Sequence, residues 1–296
     1  MQGSWITRRL RDVAAIIVVA MFMFPLFWWG LTSIKPSWAI FDKDEVVFFN
    51  FTPTTINFEV TLLGRSRSEA ATAKGDTFGV GGASSYDSRG TILSSIVIAV
   101  GSTLLTILLG VPAAYALSRI HFRSQQNFLS WVLSQRFMPP IAIIVPIVFM
   151  YHYLGLLDSH LGLILIDTLM NIPICVLLMK SFFDDVAIEV DEAAMIDGAT
   201  RFQIFQRIVL PLVKSGVAAT AVLCFIFSWT EFLLSLFLTT SIRTLPVKIS
   251  TFVTSTGTEW GFIAALGTSA MLPSFIFILL VQRQLVRGLT LGSLKD

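Results

Sequence analysis

Six stretches of this sequence are so long and so apolar that a lipid bilayer is the only solvent that suits them. A helix needs about 20 mostly apolar residues to cross a membrane. Three stretches carry no charged residue and three carry one each: residues 13–34, 90–118 and 260–282, and then 124–157, 159–179 and 215–242. Charged residues make up 14% of the chain, against roughly a quarter in soluble domains. The pattern predicts an all-α membrane protein with six transmembrane helices.

The first stretch resembles the core of a secretory signal peptide, because Arg8, Arg9 and Arg11 precede it. It is longer than such a core, and the residues after it, LTSIKPSW (31–38), offer no small-x-small cleavage site. We therefore predict that it is retained as the first transmembrane helix.

The distribution of lysine and arginine predicts the orientation, since these residues favour the cytoplasmic ends of spans. They are concentrated before the first stretch, in the turn 119–123, between residues 180 and 214 and after residue 282, whereas the loop 151–160 has none. Both termini are predicted to be cytoplasmic. The predicted parts are the N-terminus and first helix (1–34), an external segment (35–89), a five-helix core (90–285) with a cytoplasmic loop at 184–214, and a cytoplasmic tail (286–296).

The external segment has two different halves. VVFFNFTPTTINFEV (46–60) is compatible with short strands or with a position along the membrane surface. GVGGASSYDSRG (79–90) is typical of a flexible loop. Its glycines are followed by no Gly-Lys-Ser/Thr sequence, so it does not predict a phosphate-binding loop.

Several classes of function lack the residues that they need. With a net charge of +2 and no Lys/Arg cluster, the chain does not predict nucleic-acid binding. Cys175 and Cys224 lie inside apolar runs and are expected to be small buried residues. His152, Asp158 and His160 lack a fourth ligand, so no metal site is predicted. The loops between the spans are too short for an ATP-hydrolysing domain, so energy for uphill transport would come from another protein.

The loop 184–214 is the most polar stretch between spans. It predicts two short helices, the first ended by Gly198 and the second capped by Thr200. Spacings of three and four residues place Phe202, Phe205 and Val209 on one side of the second helix. Pro211 is predicted to lie in the first turn of the fifth span.

Two interpretations of this loop are open, a connector on the membrane surface and a docking site for a protein. A surface helix should carry Lys and Arg on its polar face. Residues 184–197 instead contain six acidic residues and no basic residue, which anionic lipid would repel. The composition favours a protein partner that accepts a short helix in a groove.

The sequence EAAMIDGATRFQIFQRIVLP (192–211) resembles the EAA motif of the permease subunits of ABC importers. The resemblance implies the type I importer permease fold and a short helix that docks in a cleft on a cytoplasmic ATPase subunit. It also implies a second permease subunit as heterodimer partner, two ATPase copies that hold ATP and Mg²⁺, and an external solute-binding protein. This chain itself is expected to bind no cofactor. The implied coupling residues are Glu192, Ala193, Ala194, Asp197, Gly198, Thr200 and Arg201.

Three further stretches narrow the resemblance to the maltose-transporter type of carbohydrate permease, and to the smaller of its two membrane subunits: LGLLDSHLGLIL (154–165), WTEFLLSLF (229–237) and RGLTLGSLKD (287–296). This implies import of a sugar or sugar derivative across a bacterial inner membrane, and a tail that reaches the ATPase pair. Import of an anionic solute such as a glycerol phosphodiester is the main alternative. A stand-alone secondary transporter is a weaker one, because the chain has only isolated charges inside its spans.

Three ionisable residues fall inside the predicted spans, where such groups usually face a cavity or a partner. They are Arg136, near the middle of the third span, and Asp167 and Glu231, nearer the outer side. One interpretation gives Arg136 an ion pair and Glu231 a role in helix packing. The other places Gln135, Arg136, Asn171 and Glu231 along the solute path, since amide groups both donate to and accept from sugar hydroxyls.

Overall fold

The computed structural model describes residues 5–40, 48–66, 86–254 and 257–292. In chain order the elements are α1 (Trp5–Ser33), α2 (Ser37–Ile40), α3 (Ile56–Leu62), α4 (Arg89–Arg119), α5 (Gln125–Phe137), α6 (Pro140–Leu154), α7 (His160–Asp184), α8 (Glu189–Ile196), α9 (Arg201–Gln203), a π-helical turn (Ile204–Val209), α10 (Leu210–Leu212), α11 (Lys214–Trp229), α12 (Leu233–Leu238), α13 (Leu245–Ser250), β1 (Val253–Thr254), β2 (Gly257–Thr258) and α14 (Trp260–Gly292). The chain divides into two compact units, Met1–Gly90 with Lys248–Met271, and Thr91–Val247 with Leu272–Asp296.

The predicted membrane spans are present, but two of them are bent. Within the described residues, four continuous helices are long and apolar enough to cross a bilayer, and these are Arg9–Ser33, Arg89–Arg119, His160–Asp184 and Trp260–Gln282. Two helix pairs pass the same test together, and they bend by 90° between α5 and α6 and by 79° between Arg201–Leu212 and α11. The total is six if each bent pair is one span.

The predicted third span, residues 124–157, is therefore not one continuous helix. Its break lies at Met138 and Pro139, which are both extended, with ψ values of 119° and 125°. Consecutive prolines at 139 and 140 explain the break, because each lacks an N–H donor and disfavours helical geometry in the residue before it. Arg136 consequently lies at the end of α5, beside the break, and not in the middle of an unbroken helix.

The predicted fifth span, residues 215–242, also ends early. Helix α11 stops at Trp229, and Glu231 lies in the short link before α12. The carboxylate of Glu231 accepts hydrogen bonds from the backbone N–H groups of Leu234 (2.7 Å) and Ser235 (3.0 Å). These are donors that the first turn of a helix leaves without intrahelical partners. Glu231 therefore stabilises the start of α12.

In the first unit, the segment after α1 folds back through a buried amide. Nδ2 of Asn57 donates to the carbonyl oxygens of Ser33 and Lys35, both at 3.0 Å. A Cβ on Gly261 would lie 2.7 Å from Oδ1 of Asn57, so only glycine permits this approach at the start of α14. Residues 56–62 are helical, so the strand interpretation is wrong there. Most of the glycine-rich sequence 79–90 lies outside the described residues.

Two short strands, which the sequence reading did not anticipate, precede α14. They pair antiparallel, with Val253 opposite Thr258 and Thr254 opposite Gly257. The pairing reverses the chain between α13 and α14.

In the second unit, small residues bring the helices close together. A Cβ on Gly110 of α4 would lie 2.6 Å from Sγ of Cys175 in α7, and one on Gly216 of α11 would lie 2.4 Å from the ring of Phe182. Such contacts are typical of helix packing in membranes. Cys175 and Cys224 are both fully buried, as predicted. They belong to a core cluster that also contains Val111, Ala114, Met179, Phe183, Ala194, Ile204, Val209 and Val213.

Candidate functional site

The segment between α7 and α11, residues 184–214, is called the coupling segment below. Its first helix, α8, ends just before Gly198, whose φ is +84°. The left-handed conformation favours glycine, since a side chain there is strained. The N–H of Ala199 then donates to the carbonyl oxygen of Ala194 (3.0 Å) and closes the end of the helix. The prediction that Gly198 ends the first short helix is confirmed.

Thr200 caps the next helical stretch, as predicted, and the cap is a reciprocal capping box with Gln203. Its hydroxyl accepts the N–H of Gln203 at 3.3 Å, and Oε1 of Gln203 accepts the N–H of Thr200 at 2.8 Å. Two donors that would otherwise be unpaired at the helix start are satisfied by this reciprocal arrangement. The entry to the second half of the coupling segment is thus defined by local interactions.

The second half contains a π-helical turn that changes which side chains are buried. Ile204 and Val209 are almost completely buried, and they are five residues apart, the spacing of π-helical hydrogen bonds. Phe202 is 69% exposed, so the prediction that Phe202, Phe205 and Val209 share one face is wrong for Phe202. Pro211 lies in α10, before the bend, and not in the first turn of α11 as predicted.

The predicted coupling residues divide into an exposed set and one buried member. Ala194 is 7% exposed and packs in the core cluster of its own unit. The exposed residues are Glu192, Ala193, Asp197, Gly198, Thr200 and Arg201. Six of the seven residues are therefore accessible to a partner protein.

The residue that fixes α8 to the transmembrane helices is Asp191, which is not among the predicted coupling residues. Its carboxylate accepts a hydrogen bond from the hydroxyl of Tyr115 (2.7 Å) and an ion-paired hydrogen bond from Nε of Arg119 (2.7 Å). The side chains of Arg119 and Asp191 are only 8% and 7% exposed. The sequence signal for the burial of Asp191 was its spacing from Ala194. The two residues lie three apart and therefore face the same side of α8.

Arg119 also closes the end of α7. Its Nη1 donates to the carbonyl oxygen of Phe183 (3.1 Å), and its Nη2 donates to that of Val186 (3.0 Å). We call Arg119, Tyr115, Asp191 and these two carbonyl groups the Arg119 network. A cavity of about 200 Å³ borders the network and is lined by Tyr115, Arg119, Ile188, Asp191, Glu192, Met195, Arg201 and Ile204.

The residues predicted for a solute path do not form a single group. Gln135 is exposed, and its amide donates to Trp131 of the same helix. The guanidinium of Arg136 lies 4.4 Å from the ring centre of Phe227 and donates to the carbonyl oxygen of Met170 (3.1 Å). Arg136 forms no ion pair with any residue that the structure describes, so the ion-pair interpretation finds no partner there.

Asn171 lies deeper, in a polar cluster between helices of the second unit. It is 2% exposed, and its Nδ2 donates to the hydroxyl of Ser228 (3.0 Å), which also accepts from Ser102 (2.8 Å). Its Oδ1 has no hydrogen-bond partner among the described residues. The structure thus separates the buried Asn171 from the exposed Gln135.

Comparison with known protein families gives a direct assignment. Residues 106–291 match the family described as binding-protein-dependent transport system inner membrane component. This chain belongs to that family. It is a multi-pass permease subunit of an ABC importer in the inner membrane.

Relatives and a solved structure cover nearly the whole permease. A probable ABC transporter permease of Sinorhizobium fredii is 36% identical over 94% of this chain and 92% of its own length. The sulfoquinovosyl glycerol transport system permease of Agrobacterium fabrum is 32% identical over 97% and 93%, respectively. A crystal structure of a bacterial ABC transporter for the acidic polysaccharide alginate has a TM-score of 0.70 at 19% identity, covering 96% of this chain and 98% of that one. The type I importer permease fold is confirmed.

Just before the N-terminal end of α7, far from the coupling segment, Asp158 connects two distant loops of the permease. Asp158 adopts a positive φ of 52° and its carboxylate accepts the N–H groups of Thr240, Ser241 and Ile242, each at 3.0 Å. The hydroxyls of Thr240 and Ser241 donate to the same carboxylate. We call this arrangement the Asp158 clasp. The donors from Ile242 and Ser241 hold the pKa of Asp158 well below its usual value, because they stabilise its charged form.

The structure places His152, Asp158 and His160, the three residues weighed as metal ligands, in separate environments. The carboxylate of Asp158 accepts the hydrogen bonds from residues 240–242. The ring Nε2 of His160 lies 2.9 Å from the hydroxyl of Ser94. His152 is exposed on the last turn of α6. The described part of the permease contains no group of three His, Cys, Asp or Glu residues that is arranged to hold a metal ion.

Proposed function

We propose that this permease imports a sugar or sugar derivative, and that ATP hydrolysis in partner subunits drives it through the coupling segment. The substrate class rests on relatives named for sulfoquinovosyl glycerol, trehalose and diacetylchitobiose transport. The coupling role rests on the accessible surface formed by the exposed EAA residues. Ile196, at the end of α8, is 87% exposed and is therefore available to contact a partner protein.

The proposed complex contains a second permease subunit, two copies of an ATPase subunit and an external solute-binding protein. ATP and Mg²⁺ belong to the ATPase subunits, and both termini and the coupling segment of this chain lie in the cytoplasm. Closure of the ATPase pair moves the coupling segments, and the spans alternate between outward-facing and inward-facing states. A loaded binding protein delivers the solute to the outward-facing state.

Within the coupling segment, the exposed residues take different roles. Glu192 and Asp197 make polar contacts with the ATPase cleft, and Ala193 allows close approach. Gly198 sets the bend after α8 through its positive φ. Ala194 packs against the core of its own chain, so its small size serves the attachment of α8.

The coupling role is tested by uptake in cells whose copy of this gene is replaced by a variant. We expect Glu192→Ala and Gly198→Asp to reduce uptake while the protein remains in the membrane. Glu189→Ala is the matched control, since Glu189 is also an exposed acid on α8 but lies outside the motif. Normal uptake by both Glu192→Ala and Gly198→Asp would refute the coupling role.

The tail is proposed to reach the ATPase pair. The backbone of α14 remains helical to Gly292, beyond the apolar span that ends at Gln282. A continuous helix carries the chain about 1.5 Å further for each residue past the membrane. Deleting residues 288–296 is expected to lower ATP-driven uptake while the spans still insert, and unchanged uptake would remove the tail from the mechanism.

An anionic solute is a second candidate, and Arg136 is the observation that favours it. Its guanidinium has no carboxylate partner in the described chain and lies at the exposed end of α5, where an acidic solute group could bind by a charge-assisted contact. Transport of neutral and acidic sugars by Arg136→Gln separates the candidates. Selective loss of the acidic sugar supports solute contact, whereas equal loss indicates a structural role.

The solute itself is best identified on the proposed solute-binding protein. Ligands that bind only the folded state raise its melting temperature by mass action. We expect a sugar or sugar derivative to give the largest shift in a screen that includes glycerol phosphodiesters. A shift with the phosphodiesters alone would replace the carbohydrate assignment.

A further inference from the structure

We propose that the Arg119 network is the joint that transmits movement of the coupling helix α8 to the transmembrane helices. This inference rests on the proposed coupling function. It assigns positioning roles to Arg119, Tyr115 and Asp191, and the side chains of Arg119 and Asp191 are too buried to be the ATPase contact itself.

The network is the polar connection between α8 and the ends of two long helices. Asp191 lies on α8, Tyr115 and Arg119 lie in the last two turns of α4, and the carbonyl groups of Phe183 and Val186 lie at the end of α7. One guanidinium on α4 therefore binds two segments that lie 64 to 72 residues further along the chain. A force applied to α8 reaches α4 and α7 through the same group.

The geometry of the network suits a joint that transmits movement. The planar guanidinium donates in three directions from a fixed fork, which orients its partners relative to one another. The side chains of Arg119 and Asp191 are more than nine-tenths buried. Buried ion pairs are weakened by water and salt far less than exposed ones. The aromatic rings of Tyr115, Phe183 and Phe205 pack against one another beside the pair, at centroid distances of 5.0 to 6.4 Å.

A neighbouring ion pair provides the contrast. Lys180 and Asp184 also pair at 2.6 Å, but both lie on α7 and the pair is more exposed. It therefore connects no second helix through Lys180. Asp184 also accepts from the hydroxyl of Ser118 on α4 through its other oxygen (2.6 Å), so Lys180→Gln removes a charge at the same end of α7 while the direct hydrogen bonds of Asp191 to Arg119 and Tyr115 remain.

The first test is Asp191→Asn in the full complex, reconstituted with its ATPase, second permease and binding protein. We expect import to fall by about tenfold, within the range typical of coupling between two sites, while ATP hydrolysis by the assembled complex continues. Lys180→Gln should import normally. Asp191→Glu, which keeps the charge, should recover part of the import.

The second test separates transmission from stability. An apolar pair in place of a buried ion pair often restores stability, so Arg119→Met combined with Asp191→Leu should return the complex to normal amounts. If the network is a joint, import remains low in that double variant although the complex assembles. Recovery of import together with the amount of complex would show that the pair is only structural and would overturn the proposal.

Tyr115→Phe keeps the test decisive if Asp191→Asn does not assemble, because it removes one hydrogen bond and leaves the ion pair. It should lower import per ATP hydrolysed, and an unchanged ratio would count against the joint. Glu192→Ala distinguishes the two levels of the account. If Glu192→Ala and Gly198→Asp both import normally, the coupling function itself fails. If they are impaired and Asp191→Asn is not, only the joint fails.

Discussion

The two ends of α7 are each tied to distant parts of the chain by an aspartate, but the two connections are built differently. At the coupling end, Asp191 binds the side chains of Arg119 and Tyr115, which lie 72 and 76 residues away. At the other end, Asp158 binds backbone N–H groups 82 to 84 residues away. The first connection is buried, whereas the second is partly exposed.

This difference separates a movable connection from a fixed one. The donors of the Asp158 clasp are consecutive backbone groups, whose positions are set by the path of the chain, so the clasp holds two loops as one block. The Arg119 network joins side chains on separate helices and can carry α8 as it moves. We therefore expect substitutions in the network to affect both stability and coupling, and substitutions in the clasp to affect stability alone.

The largest expected effect is that of Arg119→Ala. Removing one partner of a buried ion pair costs about 3–5 kcal/mol, because the remaining charge is left without compensation. We expect a large fall in the thermal stability of the purified permease complex. The measurement is its unfolding temperature in detergent.

Lys180→Ala is the control for Arg119→Ala. Lys180 is half-buried and its partner Asp184 is exposed, and i,i+4 helix pairs at such positions contribute about 0.3–0.5 kcal/mol, so the loss should be far smaller than that of Arg119→Ala. Equal destabilisation by the two variants would contradict the distinction between the buried network and an ordinary surface pair.

The second largest loss of stability is expected for substitutions of Asp158 in the clasp. Asp158→Ala removes every acceptor of the clasp and also leaves a residue with a strained positive φ, for an expected loss of about 2 kcal/mol. Asp158→Asn tolerates the same φ and should lose less. Import per ATP hydrolysed should stay normal in both variants, and a lowered ratio would show that the clasp takes part in coupling.

A smaller effect is expected for Thr200→Ala. Loss of an N-cap costs about 1 kcal/mol, and this cap connects residues only three apart. The change should lower unfolding temperature slightly and leave the attachment of α8 intact. Destabilisation as large as that of Arg119→Ala would mean that local capping, and not the network, holds the coupling segment.

The smallest expected effect is that of pH on the clasp. A carboxylate whose folded-state pKa is lowered stabilises the fold above its ordinary pKa of about 3.9 and loses this contribution only as the pH falls through the lowered value. The difference in unfolding temperature between the wild type and Asp158→Asn should therefore be the same at about pH 8 and about pH 5. A difference that vanishes at the lower pH would contradict the lowered pKa.

Local features of the coupling segment were predictable, but its attachment was not. The turn at Gly198 and the cap at Thr200 depend on residues close in sequence, and both were read correctly from the chain. The contact between Asp191 and Arg119 depends on how α4 and α7 pack, so the sequence showed only an acid in an acidic loop. In the same way, Pro139 and Pro140 were visible, but the 90° bend between α5 and α6 depends on tertiary packing. The π-helical turn was missed because the apolar spacing around Phe202 also fits an α-helix.

The most direct test of the account is the contact between α8 and the ATPase. Ile196 and Tyr153 are 87% and 89% exposed in the chain, so a cysteine at either position can carry a photoactivatable cross-linker, while native Cys175 and Cys224 are buried. We expect Ile196→Cys to cross-link to the ATPase subunit in the assembled complex and Tyr153→Cys to give no such product. Absence of an ATPase product at Ile196, or equal products at both positions, would contradict the central claim that α8 is the coupling helix.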